Sequence, residues 1–434
     1  MPLESSAPYE LRGMRLRDHR LAVPLDHSQL GGEQITVFAR EIADADLDAA
    51  AAAGLPWLLY LQGGPGGRGI RPLGLSGWIK EASSSFRILM LDQRGTGLST
   101  PVDRRTLALR GNAAAQADYL AHFRADAIVA DSELFRGALA DGQWSVYGQS
   151  FGGFCALTYL STAPEALREV LITGGLGPLH GSADRVYEAT FGRVRARNAE
   201  YFARYPQDRA VATRIMEHLR AVDERLPTGE RLTPERFQMV GSFLGGNTRV
   251  DGLHYLLEEA FVPTPDGDRL ADAFLEQVGG QVSRAGNPLY AVLHESIYAQ
   301  GAATDWSAQR VLAAHPDFAP DAAEPLLTGE MIYPWYFDQD PALAPLKEVA
   351  ELLAVRTQWP ALYDPEQLAR NTVPVAAAVY SDDIYVDRDL SLETAAAVAG
   401  LQVWESADFH HDGITDDGEG IFARLLGMVR GTAG

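Results

Sequence analysis

A single serine stands between glycines in Gly148-Gln149-Ser150-Phe151-Gly152, directly after a short apolar run. The pattern G-x-S-x-G between a strand and a helix is typical of a nucleophile elbow, which holds the serine in a strained backbone conformation. Small residues are needed two positions before and after the serine, so that strand and helix can pass closely. Gly148 and Gly152 meet this need. Ser150 is therefore the candidate nucleophile, and a flexible turn is the alternative interpretation.

A serine nucleophile needs an imidazole to take its proton and a carboxylate to orient that imidazole. In hydrolases with this elbow the three residues follow in the order Ser, then Asp or Glu, then His. Asp382 and Asp383 follow a late apolar run, and His410 and His411 are the last two histidines of the chain. The order leaves both aspartates and both histidines as candidates. The alternative is that these residues belong to solvated turns.

The same chemistry needs an oxyanion hole, in which two backbone N–H groups point at the charge that develops on the substrate carbonyl. One donor is the residue after the nucleophile, Phe151, and the other comes from a loop after an earlier strand. The glycine-rich segment 62–67, Gln-Gly-Gly-Pro-Gly-Gly, follows an apolar run and predicts that loop, with Gly64 as the donor. The segment does not fit a phosphate loop, because no Gly-Lys-Ser/Thr follows and no G-x-G-x-x-G opens a helix.

The elements that must position these residues alternate along the chain. Apolar runs typical of strands occupy 58–61, 86–91, 145–147, 170–172, 373–380 and 401–404. Helical patterns cover about 112–140 and 152–161, and 43–54 is a loop or short helix between two strands. Strands that are apolar throughout and alternate with helices indicate a mostly parallel sheet covered on both faces. We therefore predict the α/β class.

Residues 178–345 interrupt this alternation. The stretch has a mostly helical pattern, with aromatic and charged residues interleaved and few strand-like runs. A helical insertion between two parts of one sheet is typical of a cap over a sheet enzyme. We predict a catalytic domain formed by 1–177 and 346–434, and a mainly helical cap domain formed by 178–345, inserted late in the sheet.

Composition excludes several classes of partner. The chain has 37 basic and 58 acidic residues and a formal net charge of −21, which argues against nucleic acid and anionic membranes. One cysteine, Cys155, allows neither an intrachain disulfide nor a cysteine-based metal site. No run approaches the roughly 18 apolar residues of a membrane span, and the first residues lack the apolar core of a signal peptide. We expect a cytoplasmic protein whose oligomeric state stays open.

Three motifs together resemble the proline iminopeptidase (prolyl aminopeptidase) family of serine peptidases. Gly-Gly-Pro-Gly-Gly at 63–67 resembles the family's His-Gly-Gly-Pro-Gly-Gly loop, Asp-Gln-Arg-Gly-Thr-Gly-Leu-Ser at 92–99 matches its second motif, and 148–153 matches its elbow. The tail sequences "VYSDD" and "FHHDG" also match, and the long cap resembles the larger subtype. Gln62 departs from the family, which has histidine there. The resemblance implies the α/β-hydrolase fold.

The resemblance also implies roles for individual residues. Ser150 is the nucleophile, Asp383 is preferred to Asp382 as the acid, and His411 is preferred to His410 as the base. Asp383 precedes an apolar residue at the family's separation from the histidine, and His411 stands directly before an Asp-Gly pair. Such a serine peptidase needs neither a metal nor an organic cofactor.

An aminopeptidase must capture the free N-terminus of its peptide substrate, and a cationic amine needs a carboxylate. In the family, glutamates of the cap supply it. The candidates are Glu295 first, Glu259 or its neighbour Glu258 second, and Glu330 third; the alternative for each is a solvated helix face. Arg94 is expected to be structural, paired with a local carboxylate.

The resemblance implies release of N-terminal proline from peptides through an acyl-enzyme. Three alternatives remain: a broader aminopeptidase or di/tripeptidyl peptidase, an esterase or amide hydrolase of the same fold, and a scaffold that binds without catalysis.

Overall fold

The computed structural model of the chain describes residues 2–432. The strands in this range are β1 (Glu4–Ser5), β2 (Tyr9–Leu11), β3 (Met14–Pro24), β4 (Gln34–Asp44), β5 (Trp57–Leu61), β6 (Arg87–Asp92), β7 (Trp144–Gln149), β8 (Leu167–Thr173), β9 (Phe261–Val262), β10 (Arg269–Leu270), β11 (Val375–Tyr380) and β12 (Leu401–Ser406).

The α-helices are α1 (Ala49–Gly54), α2 (Gly77–Ser83), α3 (Ala113–Leu120), α4 (Ala125–Leu139), α5 (Phe151–Thr162), α6 (Ala183–Arg204), α7 (Pro206–Ala221), α8 (Pro234–Gln238), α9 (Arg249–Glu258), α10 (Asp272–Val282), α11 (Pro288–Leu293), α12 (Ser307–Leu312), α13 (Tyr336–Gln339), α14 (Lys347–Ala354), α15 (Pro365–Ala369), α16 (Arg388–Ala397) and α17 (Gly413–Arg430). Short 3-10 helices cover Leu107–Arg110, Pro164–Ala166, Met239–Gly245, Glu295–Tyr298, Pro316–Phe318 and Ala344–Leu346. No helix in the described range is both long enough and apolar enough to cross a membrane.

The central sheet has the strand order β1-β3-β4-β6-β5-β7-β8-β11-β12, with β2 paired to β3. In the part of this sheet with the order β6-β5-β7-β8-β11-β12, every neighbouring pair is parallel, whereas β4 and β6 form an antiparallel pair. The side chains of β5, β7 and β11 are buried along their whole length, as expected for strands covered on both faces. The predicted α/β fold with a mostly parallel sheet is confirmed.

The N-terminal hairpin extends this sheet on one side. Strands β3 and β4 pair in antiparallel fashion from Met14 opposite Asp44 to Pro24 opposite Gln34. Their sequences mix charged with apolar residues, and β3 buries only some of its side chains. This half-buried pattern is weaker than that of the parallel strands, and the sequence did not identify the hairpin.

Helices cover both faces of the sheet. On one face α2 and α17 contact each other, and Trp78 of α2 stacks on Tyr60 of β5 with ring centroids 4.5 Å apart. On the other face α5 contacts α4 and follows directly from β7. The apolar side chains of the second face continue without interruption into the insertion, for example from Phe154 to Phe191 and Leu253.

The predicted helix over 112–140 is two helices in the structure. Helix α3 ends at Leu120 and α4 begins at Ala125, with Arg124 in an extended conformation between them. The buried guanidinium of Arg124 donates hydrogen bonds to the carbonyl oxygens of Ser296 (3.1 Å) and Pro360 (2.8 Å). The break thus directs a side chain of the sheet domain toward the insertion.

The insertion between β8 and β11 carries α6 to α15 and the short antiparallel pair β9–β10, and it adds no strand to the central sheet. Its last helices do not mark a sharp boundary, because α14 contacts both α3 and α11. The division at 178–345 therefore stays a prediction.

Candidate active site

The turn at Ser150 joins β7 to α5 with a backbone conformation that is uncommon for a side-chain-bearing residue. Ser150 has φ 53° and ψ −124°. A Cβ at Gly148 would collide with the backbone of Gly152, and a Cβ at Gly152 would collide with the carbonyl of Leu61 in β5. Only glycine fits at these two positions. The strand, the sharp turn and the helix therefore have the form of a nucleophile elbow.

Three side chains form a hydrogen-bonded chain at this turn. His411 Nε2 lies 2.9 Å from Ser150 Oγ, and His411 Nδ1 lies 2.7 Å from Asp383 Oδ2. The second oxygen, Asp383 Oδ1, accepts hydrogen bonds from the backbone N–H groups of Tyr385 (2.8 Å) and Val386 (3.0 Å). With its proton on Nδ1, the imidazole donates to Asp383 and can accept the hydroxyl proton of Ser150.

The neighbouring candidates lie outside this chain. The side chain of Asp382 is exposed, and His410 Nδ1 lies 3.1 Å from the carbonyl oxygen of Asp382. Asp383 follows β11 and His411 follows β12, so both reach Ser150 from the carboxyl ends of parallel strands. The structure thus brings the preferred pair, and not its neighbours, to the serine.

The environment of His411 acts on its pKa in two directions. Burial alone would lower the pKa of this imidazole, but the charge of Asp383 and the hydrogen bond to it outweigh burial, so the pKa is raised. The negative charge of Glu330 acts in the same direction. The surroundings therefore favour the imidazolium that forms when His411 takes a proton.

The glycine-rich loop lies against the nucleophile. A Cβ at Gly63 would stand 3.0 Å from Ser150 Cβ, and Gly64 has φ 151°. Within residues 2–432 the backbone N–H groups of Gly64 and Phe151 have no hydrogen-bond acceptor, so both are free to donate. The carbonyl oxygen of Gln62 accepts a hydrogen bond from Gln93 Nε2 at 2.8 Å, which ties this loop to the 92–99 segment.

The three candidate glutamates lie in three different environments. Glu330 lines a cavity of about 450 Å³ together with Tyr290 and Tyr385. The Tyr290 hydroxyl donates to Glu330 Oε2 at 2.9 Å, and burial raises the pKa of Glu330 to about 7. The ring of Tyr385 packs edge-on against His411 with centroids 4.9 Å apart. Of the three candidates, Glu330 is therefore the one whose cavity has a wall residue, Tyr385, in contact with the triad.

Glu295 is buried, but both of its oxygens are already engaged. They accept hydrogen bonds from the backbone N–H groups of Ser307 (3.1 Å) and Ala308 (2.9 Å), in the first turn of α12. Burial raises the pKa of this carboxyl. Glu259 and Glu258 are exposed at the end of α9. The geometry favours Glu330, which the sequence placed third, because its cavity contacts His411 through Tyr385. Helical spacing in the sequence does not reveal which carboxylate tertiary packing brings near the triad.

Sequence reasoning missed Tyr290, Tyr385 and Arg284, which line the same cavity. Tyr385 stands two residues after Asp383, and that proximity was the only available signal. Of the aromatic residues of the cap, Tyr298 packs against Phe154 of α5 with ring centroids 5.8 Å apart.

Arg94 lies away from the triad in a buried ion pair. Its Nε and Nη2 donate to the two carboxylate oxygens of Asp131 at 2.8 and 2.6 Å, and both side chains are almost completely buried. Further hydrogen bonds go to the carbonyl oxygens of Pro24 and Leu25. These contacts fix the 92–99 segment between the N-terminal hairpin and α4.

Comparison with known proteins identifies relatives that align with nearly the full length of this chain. Residues 56–246 match the family described as alpha/beta hydrolase fold. A proline iminopeptidase from Aeromonas sobria is 49% identical over 432 residues, which cover 99% of this chain and 100% of the relative. Proline iminopeptidase aneH from Aspergillus aculeatus is 36% identical, with 95% of this chain and 93% of the relative covered. The solved structure of proline iminopeptidase from Mycobacterium smegmatis aligns with 95% of this chain and 98% of its own at a TM-score of 0.45 and 13% identity.

Proposed function

Because this chain belongs to the proline iminopeptidase family of α/β-hydrolase serine peptidases, we propose that it releases N-terminal proline from peptides through an acyl-enzyme intermediate. The observation that supports this most strongly is the hydrogen-bonded chain from Ser150 through His411 to Asp383. A cavity with a buried carboxylate contacts that chain through Tyr385, whose ring packs against His411, and a carboxylate near the triad is what capture of a free amine requires.

In the proposed first step, Ser150 Oγ attacks the carbonyl carbon of the N-terminal proline while His411 Nε2 takes the hydroxyl proton. Asp383 keeps the imidazole in the productive tautomer and stabilises its positive charge. The N–H groups of Phe151 and Gly64 stabilise the negative charge on the carbonyl oxygen. His411 then gives its proton to the leaving amine, which departs as the shortened peptide.

In the second step, water attacks the prolyl ester of Ser150, with His411 as the general base. The acyl bond breaks, Ser150 regains its proton from the imidazolium, and free proline leaves. No group outside the triad, the oxyanion donors and water takes part in the bond changes.

Specificity for a free N-terminus is proposed to come from Glu330. An ionised carboxylate near the triad can pair with the cationic imino group through a charge-assisted hydrogen bond. The Tyr290 hydroxyl holds this carboxylate in place. Glu295 remains a second candidate, and its contacts with α12 would make its contribution indirect. Glu259, exposed at a helix end, is the third.

The experiment is hydrolysis of a proline arylamide by the wild-type protein and by Ser150→Ala. We expect kcat/KM to fall by about 10⁴-fold or more in the variant, because the nucleophile is lost. Ser161→Ala is the matched control, since Ser161 lies on the same helix and donates to the Leu157 carbonyl away from the triad. Full turnover by Ser150→Ala would disprove the mechanism.

A broader aminopeptidase is the second candidate, because the cavity of about 450 Å³ beside Glu330 has room for larger side chains than proline. A panel of aminoacyl arylamides with N-acetylated controls separates the two functions. Faster cleavage of alanine or leucine than of proline would favour the broader activity.

Peptides with a free N-terminus are thus the proposed partners. The net charge of −21 supports neither a nucleic acid nor an anionic membrane as a partner. The cytoplasmic location expected from the sequence is likewise a proposal, which cell fractionation tests.

A further inference from the structure

The cavity beside the triad contains a positive charge as well as a negative one. Arg284 lies in the loop between α10 and α11 and lines the same cavity as Glu330. Its Nη1 donates to the carbonyl oxygen of Gln281 at 3.3 Å, and its buried Nε has no acceptor within residues 2–432. In that range no carboxylate forms an ion pair with its guanidinium. The second arginine of the cavity, Arg249, donates to Asp412 at 2.6 Å.

A half-buried guanidinium that contacts a carbonyl oxygen and an aromatic ring has lost part of its hydration without gaining an anionic partner. This is costly unless something else compensates, and a bound anionic ligand is the compensation that an enzyme cavity offers. The backbone of Arg284 is also fixed, because its N–H donates to the buried carboxylate of Asp340 at 2.8 Å. The backbone from which this side chain extends is therefore fixed beside the cavity.

One tyrosine separates this positive charge from the negative one. The Arg284 guanidinium lies 5.1 Å from the centre of the Tyr290 ring, and the hydroxyl of the same ring donates to Glu330. The two charges are thus about one tyrosine side chain apart. A dipeptide at full extension spans about 7 Å, which is a comparable length.

The wall that carries Glu330 and Arg284 reaches the triad through Tyr385, whose ring packs against His411. A short peptide with its amine at Glu330 therefore has the Arg284 guanidinium on the same wall to bind its other end. In a dipeptide the first group beyond the second Cα is the C-terminal carboxylate. The planar guanidinium matches a carboxylate through two parallel hydrogen bonds.

We propose that Arg284 binds the C-terminal carboxylate of the substrate, so that zwitterionic dipeptides with N-terminal proline are the preferred substrate class. This inference rests on the proposed function and deepens it. Glu330 and Arg284 then select the two ends of one short molecule, and a longer peptide lacks the carboxylate at that distance.

The test compares kcat/KM for prolylglycine, prolylglycinamide and a proline arylamide. In the wild type we expect kcat/KM for prolylglycine to exceed that for prolylglycinamide by about 10-fold or more, which is the contribution of one charged hydrogen bond. Glycinamide is the less basic leaving group, so leaving-group chemistry favours the amide and cannot produce this preference. Equal values for the two dipeptides, or a faster amide, would overturn the proposal without any variant being made.

Arg284→Gln should lower kcat/KM for prolylglycine to the value of the amide, mainly through KM, and lower kcat/KM for the arylamide much less. The three substrates are compared at about pH 8, because the charge of Arg284 also lowers the pKa of Glu330 and its loss would weaken amine binding for all three at lower pH. Arg104→Gln is the control. This substitution removes the same positive charge, but Arg104 is exposed and lines a neighbouring cavity. An equal loss on all three substrates in Arg284→Gln, or loss of the preference in Arg104→Gln, would contradict the assignment. A different result would contradict the proposed function itself, namely wild-type protein that does not cleave the proline arylamide.

Discussion

Two carboxylates near His411 are held in different ways. Asp383 accepts hydrogen bonds from two backbone N–H groups and from the imidazole of His411, whereas Glu330 accepts one hydrogen bond from a tyrosine hydroxyl. Burial raises the pKa of Glu330 to about 7, so its charge depends on pH near neutrality. The first carboxylate serves the imidazole, and the second is proposed to serve the substrate amine.

Replacement of the proposed amine ligand tests this division. In Glu330→Gln we expect kcat/KM for a proline arylamide to fall by about 10- to 100-fold, the value of a charged hydrogen bond. Hydrolysis of a simple ester without an amine should change little. Glu259→Gln is the matched control on an exposed glutamate of the cap. Equal loss on ester and arylamide would show that Glu330 acts on the triad instead.

The pH profile follows from two raised pKa values. Glu330 binds an amine only when ionised, and this charge is lost as pH falls through about 7. His411 accepts a proton only when its imidazole is neutral. Because its pKa is raised, the imidazole becomes protonated, and stops acting as a base, at a higher pH than an ordinary histidine. Both effects lower kcat/KM on the acid side, by up to about 10-fold per pH unit for each group.

The measurement is kcat/KM for the arylamide and for a simple ester between about pH 5 and pH 9. The arylamide should lose activity more steeply than the ester below neutral pH, and Glu330→Gln should remove that difference. A wild-type arylamide profile that stays flat from about pH 8 to pH 6 is incompatible with both shifts.

At the scale of elements, the site depends on the turn between β7 and α5. The helix begins directly after Ser150, and the glycines two positions away allow β5, β7 and α5 to approach closely. Neither strand nor helix can move outward to accept a larger residue, because both are buried along most of their length. Small size at these glycines is therefore a requirement of packing.

Gly152→Ala tests this requirement. Its new Cβ would collide with the carbonyl of Leu61, and such overpacking costs about 1–3 kcal/mol of unfolding free energy. The control is Gly137→Ala in α4, where a Cβ meets open space and helix propensity predicts a gain of about 0.5–1 kcal/mol. Thermal or urea unfolding measures both variants. A Gly152→Ala protein as stable as the wild type would contradict the close approach.

These elements also show what the sequence can and cannot reveal. The apolar runs of β5, β7 and β11 are strong signals, since strands buried on both faces are apolar throughout. The order of residues placed the acid and the base in two loops, and only the resemblance to the family favoured Asp383 over its neighbour Asp382, because the two differ in the direction of their side chains. That direction is fixed by the backbone N–H groups that bind Asp383, which no sequence pattern displays.

At the scale of the whole molecule, the sheet and the insertion share one hydrophobic core. Buried arginines connect its parts through backbone carbonyls and one carboxylate. Arg124 reaches two segments distant in sequence, and Arg94 joins the 92–99 segment to the N-terminal hairpin and to Asp131. Long-range contacts of this kind depend on tertiary structure. The sequence therefore predicted neither which cap glutamate lies nearest the triad nor the break between two helices at Arg124.

The Arg94–Asp131 pair makes a prediction about stability. Asp131→Asn leaves a fully buried guanidinium without its charge partner, and loss of one member of such a pair costs about 3–5 kcal/mol of unfolding free energy. Turnover per folded molecule should change little, because the pair lies outside the triad. Asp338→Asn, at the exposed ion pair with Lys347, is the control. Equal stability of both variants in urea unfolding would refute a structural role for the buried pair.

The most direct test of the proposed chemistry is the reaction of the serine with a fluorophosphonate, followed by intact mass and peptide mapping. We expect one adduct per chain on Ser150, a much lower labelling rate in His411→Gln, and an unchanged rate in His410→Gln. A folded protein that stays unlabelled, or an adduct elsewhere in the chain, would contradict activation of Ser150 by His411.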